Sequence, residues 1–89
     1  MRAIISVIGK DTFGILAKVS SVCFENRANV VDVNQSILQD MFVMVMMLDI
    51  SDKDCNFMRL KGDLEALSGQ IGMQINIMHE DIFNSMHRI

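Results

Sequence analysis

The residues best suited to chemistry lie together in Gly9-Lys10-Asp11-Thr12-Phe13-Gly14-Ile15-Leu16. This stretch follows an apolar run, Ala3 to Ile8, and opens an amphipathic segment at Ile15. Its two bracketing glycines tolerate backbone angles that other residues adopt only at a cost. Asp11 and Thr12 carry side chains able to accept from free amides at a helix start. A strand turning sharply into a helix points those amides at whatever occupies the turn, which suits a small polar or anionic ligand. The stretch has neither the G-x-G-x-x-G fingerprint nor the phosphate-loop pattern with Lys-Ser/Thr. It is also readable as an ordinary strand-to-helix connection capped by Asp11 or Thr12.

Other candidate chemistry is thin. His79, Glu80, Asp81 and His87 cluster near the C-terminus, but the histidines stand eight apart rather than at i, i+4, so no metal site and no cofactor is expected. Cys23 and Cys55 are too few for a disulfide framework and form no C-x-x-C; Cys23 reads as a small buried hydrophobe. No Ser-His-Asp or Cys-His pairing stands out, so no enzyme is expected.

The 89 residues amount to one domain near the lower limit for a self-sufficient core. An apolar share of 51% is high for that size and points to a surface that meets a partner, with self-association the default. A net charge of −3 without a basic stripe disfavours nucleic acid. The apolar run after Arg2 is too short for a signal peptide or a membrane span, so a cytoplasmic, membrane-free protein is expected.

Residues 2–8 are apolar on both faces, as a central strand is. Ile15, Leu16, Val19, Val22 and Cys23 recur at helical spacing, with Phe24 projecting off the stripe. Arg27-Ala28-Asn29 ends that helix, Asn29 being tolerant of left-handed angles. Val30–Leu38 reads as an edge strand, with Val31, Val33, Gln35 and Ile37 on one face and Asp32, Asn34 and Ser36 on the other. Gln39-Asp40 is the expected hairpin turn, and Met41–Asp49 is a second strand apolar on both faces. The polar turn Ser51–Asp54 offers helix caps. Phe57, Leu60, Leu64 and Leu67 define a helix ending near Ser68-Gly69, and Met73, Ile75 and Ile77 mark a last strand. The tail from His79 to Ile89 places Ile82, Phe83, Met86 and Ile89 on one helical stripe.

Two strand-helix-strand units with right-handed crossovers give an α+β, ferredoxin-like βαββαβ sandwich with a short C-terminal helical tail. Its first and third strands are central, and these are the two runs apolar on both faces. Helices cover one face of such a sheet. The other face, at Met41, Val43, Val45 and Met47, needs the tail or a second subunit.

Gly9-x-Asp11-x-x-Gly14-Ile15-Leu16, a helix, Asn29-Val30-Val31-Asp32 and a hairpin into an apolar strand together resemble the ACT domain, a family of regulatory small-molecule sensors, most often for amino acids. The ending His79-Glu80-Asp81-Ile82-Phe83-Asn84-x-Met86-His87-Arg88-Ile89 is similar to that of stand-alone ACT proteins of uncharacterised function. The resemblance covers residues 1–89 as a single domain. It implies an effector held between two copies, with the loop after the first strand facing the start of the neighbour's second strand. The ligand residues it implies are Gly9, Asp11, Thr12, Phe13, Gly14, Ile15 and Asn29. Many ACT domains carry Pro where Phe13 stands, and its ring would close the pocket or wall it. Asp11 stands where relatives have Asn, and its charge favours an ammonium group.

Two rival functions share these features. A ligand-free interaction module would use the nine methionines as an adaptable apolar surface. An acylphosphatase-like enzyme shares the fold and size but needs an arginine cradle in the first loop, where only Lys10 stands.

Overall fold

The computed structural model describes residues 1–10 and 13–86. Its elements are β1 (Arg2–Lys10), α1 (Ile15–Glu25), β2 (Asn29–Leu38), β3 (Met41–Asp49), α2 (Phe57–Ile71), β4 (Gln74–His79) and α3 (Glu80–Met86). The strands form one antiparallel sheet in the order β2-β3-β1-β4. This is the ferredoxin-like sandwich with a C-terminal helix, and β1 and β3 occupy its middle as their two-sided apolar pattern requires.

Ala3, Ile5 and Val7 of β1 and Phe42, Met44, Met46 and Leu48 of β3 are buried in the core, with Ile15, Val19 and Cys23 of α1 and Leu60, Leu64 and Leu67 of α2. Burial of an Ile or Leu of this kind contributes about 1.5–3 kcal/mol. The opposite face is covered incompletely. Ile4 is buried there, beside Met47 and Met78 and near α3, which packs on β1 and β4. Met41 and Val45 remain exposed.

The pattern of β2 departs from strict alternation. Val30 pairs with Leu48 and Asp32 with Met47, so Val31 is the extra residue of a β-bulge. The bulge turns Val30, rather than Val31, toward the core beside Val33, and Val31 is exposed. The β2–β3 hairpin closes through Gln39 and Asp40 at φ 47° and 72°, the left-handed pair that a two-residue turn demands.

The helix ends also differ from expectation. Asn56 caps α2, its Oδ1 accepting from the Arg59 amide at 3.1 Å. Ser51–Asp54 instead knit their own turn: Asp49 Oδ1 accepts from the Ser51 amide and hydroxyl, and Asp52 Oδ1 from the Asp54 amide. α2 runs past Gly69 and closes at Gly72, whose φ of 66° suits glycine. At the end of α1 the left-handed residue is Arg27, at φ 61°, whereas Asn29 already lies in β2.

Asn26, 2% exposed, ties the two helices of the core face. Its Nδ2 donates to the Val22 carbonyl and to Asp63 Oδ2, each at 2.9 Å, and its Oδ1 is buried without a partner among the described residues. The tail is held at its root by a fork of the Arg2 guanidinium on the Glu80 carboxylate. The expected tail stripe is only partly realised. Phe83 is half-buried but Ile82 is 55% exposed, while the Met86 side chain and Ile89 lie outside what the structure describes. His79 ends β4, its ring 4.9 Å from that of Phe57.

Candidate functional site

Gly9 belongs to β1, opposite Phe42, and its need is for space. A Cβ there would stand 2.9 Å from Met73 Cγ, so the glycine lets a buried methionine close over the strand end. Gly14 has the conformational need: at φ 78° it is the N-cap of α1, and its carbonyl accepts from the Lys18 amide at 3.0 Å. A glycine cap offers no side-chain acceptor, so the first-turn amides find none there. The Ile15 side chain is buried in the core, which leaves only its amide for a ligand. Phe13 is 99% exposed and closes nothing within its own chain. Asp11 and Thr12 lie outside the described residues.

Asn29 is exposed at the start of β2, opposite Asp49. The 11 residues of α1 separate it from Gly14, roughly 16 Å along the helix axis. The sheet register agrees: Gly9 sits at the Phe42 end of β3 and Asn29 at the Asp49 end. The structure therefore gathers Gly9, Phe13, Gly14 and Ile15 at one end of the molecule and leaves Asn29 at the other.

Around Asn29 the structure shows more than its sequence neighbours suggest. Phe24, Arg27 and Asn29 border a shallow hollow of about 400 Å³. Phe24 is 81% exposed. The off-stripe position of Phe24 was visible in the helical periodicity, whereas nothing in the sequence marks Arg27. A larger hollow of about 560 Å³ lies between α1 and α2, with Lys18, Ser21, Glu25 and Gln70 among its lining residues, but neither Asn29 nor the residues around Gly14 border it. Beside Asn29, the Ser51 hydroxyl and then its amide hold the Asp49 carboxyl below the usual range. Asp52 is likewise lowered, first by the Asp54 amide and then by Arg27. Among the described residues no cluster of His, Cys, Asp and Glu is arranged to hold a metal. No described helix is long and apolar enough to cross a membrane.

A family model described as the ACT domain matches residues 2–78. The chain belongs to the ACT-domain family. A UPF0237 protein of Methanocaldococcus jannaschii is 46% identical over 88 residues, covering 99% of this chain and 98% of its own. An ACT domain protein from Streptococcus pneumoniae superposes with a TM-score of 0.80 at 37% identity, covering 93% of each chain. The regulatory subunit of aspartate kinase from Thermus thermophilus shares the fold, with a TM-score of 0.67 at 23% identity over 86% of this chain and 50% of that one. The α+β reading and the ACT resemblance drawn from Gly9–Leu16 and Asn29–Asp32 thus agree with the fold and with the relatives.

Proposed function

We propose that this ACT domain is a non-enzymatic regulatory module that binds a small molecule, an amino acid in the first instance, between two copies of itself. The observation that carries the reading is the separation of Asn29 from the Gly9–Gly14 loop. A single chain keeps them at opposite ends of both α1 and the sheet. β2 is an edge strand of 10 residues with an unpaired backbone row. Pairing two such edges antiparallel about a two-fold axis sets the start of one β2 beside the end of the other. Leu38, at that end, pairs with Met41, which pairs with Lys10 at the mouth of the loop. The symmetric dimer thereby brings Asn29 of each copy toward the loop of its neighbour.

In this assembly the first-turn amides of α1 receive the ligand's carboxylate, Asp11 its ammonium, and Asn29 serves as donor and acceptor. The Thermus thermophilus neighbour, named as a regulatory subunit, fits a module of this kind.

The open sheet face at Met41 and Val45 favours a second reading, a ligand-free interaction module. Thermal-shift measurements on wild type, Asp11→Ala and Asn29→Ala against the proteinogenic amino acids separate the two. Binding to the assembled form alone adds about 2.7 kcal/mol of stability at a hundredfold excess over Kd. A wild type unmoved by every amino acid, or variants that respond as it does, refutes the ligand site. Sedimentation equilibrium giving a 10.1 kDa species at micromolar concentration refutes the assembly.

A further inference from the structure

The two sides of β3 have different surroundings. Phe42, Met44, Met46 and Leu48 fill the core, whereas Met41, Val43, Val45 and Met47 are exposed or half-buried on the opposite side. The register sets Ser6, Ile8, Asn34, Ser36, Gln74 and Asn76 around Val43 and Val45 on that side, and none of the six is charged. The helix layer differs: Lys18, Glu25, Arg59, Lys61, Asp63 and Glu65 are all exposed there. An apolar, methionine-bearing centre depleted of charge has the composition of an interface core. The chain's own parts do not complete this surface. In its described length α3 packs on β1 and β4 and on no other element, so the β2–β3 half stays open beside it. A second copy stacked sheet on sheet would stand about 10 Å away, level with α3, and would run into that helix. A copy shifted aside until only β2 and β3 overlap would lay Val43 and Val45 on its polar Ser36 and Asn34.

We propose that the β2–β3 half of the open face is a docking site for an amphipathic helix of a partner protein, laid along the strands beside α3. Two strands span about 10 Å, the width of one helix, and the row from Met41 to Met47 runs about 20 Å, the length of roughly 13 helical residues. The ends of the strip fit a helix by charge. On this side Asp32 and Asp49 stand at the Met47 end, where they suit a positive helix N-terminus, and Lys10 stands at the Met41 end, where it suits a negative C-terminus. Arg2, also near Asp49, is already held by Glu80. Leucines on one stripe of the incoming helix meet Val43 and Val45, and the unbranched Met41 and Met47 adapt around them. Asn34 and Ser36 on β2 receive its polar flank. This docking needs neither the pairing of two β2 edges nor a bound amino acid, so it stands or falls apart from the ligand reading.

The chain has no Trp or Tyr, so a single Trp in a synthetic peptide reports binding by its own fluorescence. The probe is an amphipathic peptide of about four turns with leucines at i, i+3, i+4 and i+7, and its control has the same composition with the leucines spread around the helix. Wild type is expected to bind the probe about tenfold or more tightly than the control. Val45→Asp should abolish that preference with an unchanged circular dichroism spectrum, and the isosteric Val45→Thr should keep part of it. Met58→Asp, at an exposed position on α2, should keep all of it. Equal binding of the two peptides by wild type, or a full preference in Val45→Asp, overturns the docking site. Sedimentation equilibrium in which Val45→Asp halves the peptide-free mass of wild type also overturns it, because a second copy would then be the occupant.

Discussion

Replacing Asn26 by Asp changes one atom type inside the contact that joins α1 to α2, and its effect can be worked out from that contact. The Asn26 amide nitrogen donates to two acceptors, the Val22 carbonyl and the Asp63 carboxylate, in a site where the residue is 2% exposed. In Asn26→Asp a carboxylate oxygen replaces the nitrogen, both donations vanish, and a buried charge faces a second carboxylate. Leaving a charge buried without compensation costs about 3–5 kcal/mol. A domain of 89 residues has a total stability of roughly 4–13 kcal/mol. The variant should therefore melt well over 10 °C lower at pH 7. Burial and the like charge both raise the introduced carboxyl's folded-state pKa above its unfolded value. The deficit is then full above the raised folded value, where the carboxyl is ionised in both states, and shrinks as pH falls through that value toward the unfolded one. Asn26→Ala loses the two donations but also removes the unpartnered Oδ1, so it should cost only about 1–2 kcal/mol. Urea titrations of the three proteins at pH 7 and pH 5 decide the matter. Equal midpoints for wild type and Asn26→Asp at pH 7, or a deficit that does not narrow on acidification, would refute the reasoning.

Three further outcomes are expected. Ending the chain at His79 removes α3 and uncovers Ile4, which should lower stability by about 1–3 kcal/mol; an unchanged urea midpoint would show that α3 adds nothing to the fold. Gly14→Ala forces a side chain into a left-handed cap at about 1–2 kcal/mol, whereas Gly9→Ala acts through its clash with Met73 and should be rescued by shortening that side chain in Gly9→Ala/Met73→Val; failure of the double variant to recover in a thermal melt would contradict the packing role. Burial pushes the Cys23 thiol up from 9.0 to about 11, so the folded state keeps a proton that the unfolded chain gives up. Stability is then complete below pH 9 and declines as pH rises toward about 11, and urea midpoints that stay flat over that window would speak against the buried thiol.

Much of the fold was legible because its signals are large and repeated. Strands apolar on both faces had to be central, and β1 and β3 are. What escaped turns on single residues. The bulge at Val31 was hidden because Val30 and Val31 are equally apolar, so the pattern could not say which faces the core. Asn56 does not stand out as a cap in the sequence because Ser51, Asp52 and Asp54 offer the same chemistry, and only the hydrogen bonds of the preceding turn disqualify them. Gly69 looked like the end of α2 because glycine ends helices, but an exposed glycine with nothing near its Cβ position is tolerated in mid-helix. Of the site, Gly14 was legible as a conformational need. Arg27 was not, since a left-handed arginine has no sequence signature.

The alternation of β3 also divides its methionines by chemistry. Met44 and Met46 are wholly buried among the helices, whereas Met41 is exposed on the far side of the same strand, and Met47 is half-buried there with the Arg2 guanidinium 3.4 Å from its sulfur. Peroxide should therefore act on the strand one face at a time, converting Met41 and Met47 to polar sulfoxides while the core sulfurs stay reduced. Peptide mass spectrometry after mild oxidation reads the order directly, and early oxidation of Met44 or Met46 would contradict it. The apolar character of the open sheet face thus rests partly on sulfur atoms that an oxidant can make polar without first unfolding the domain.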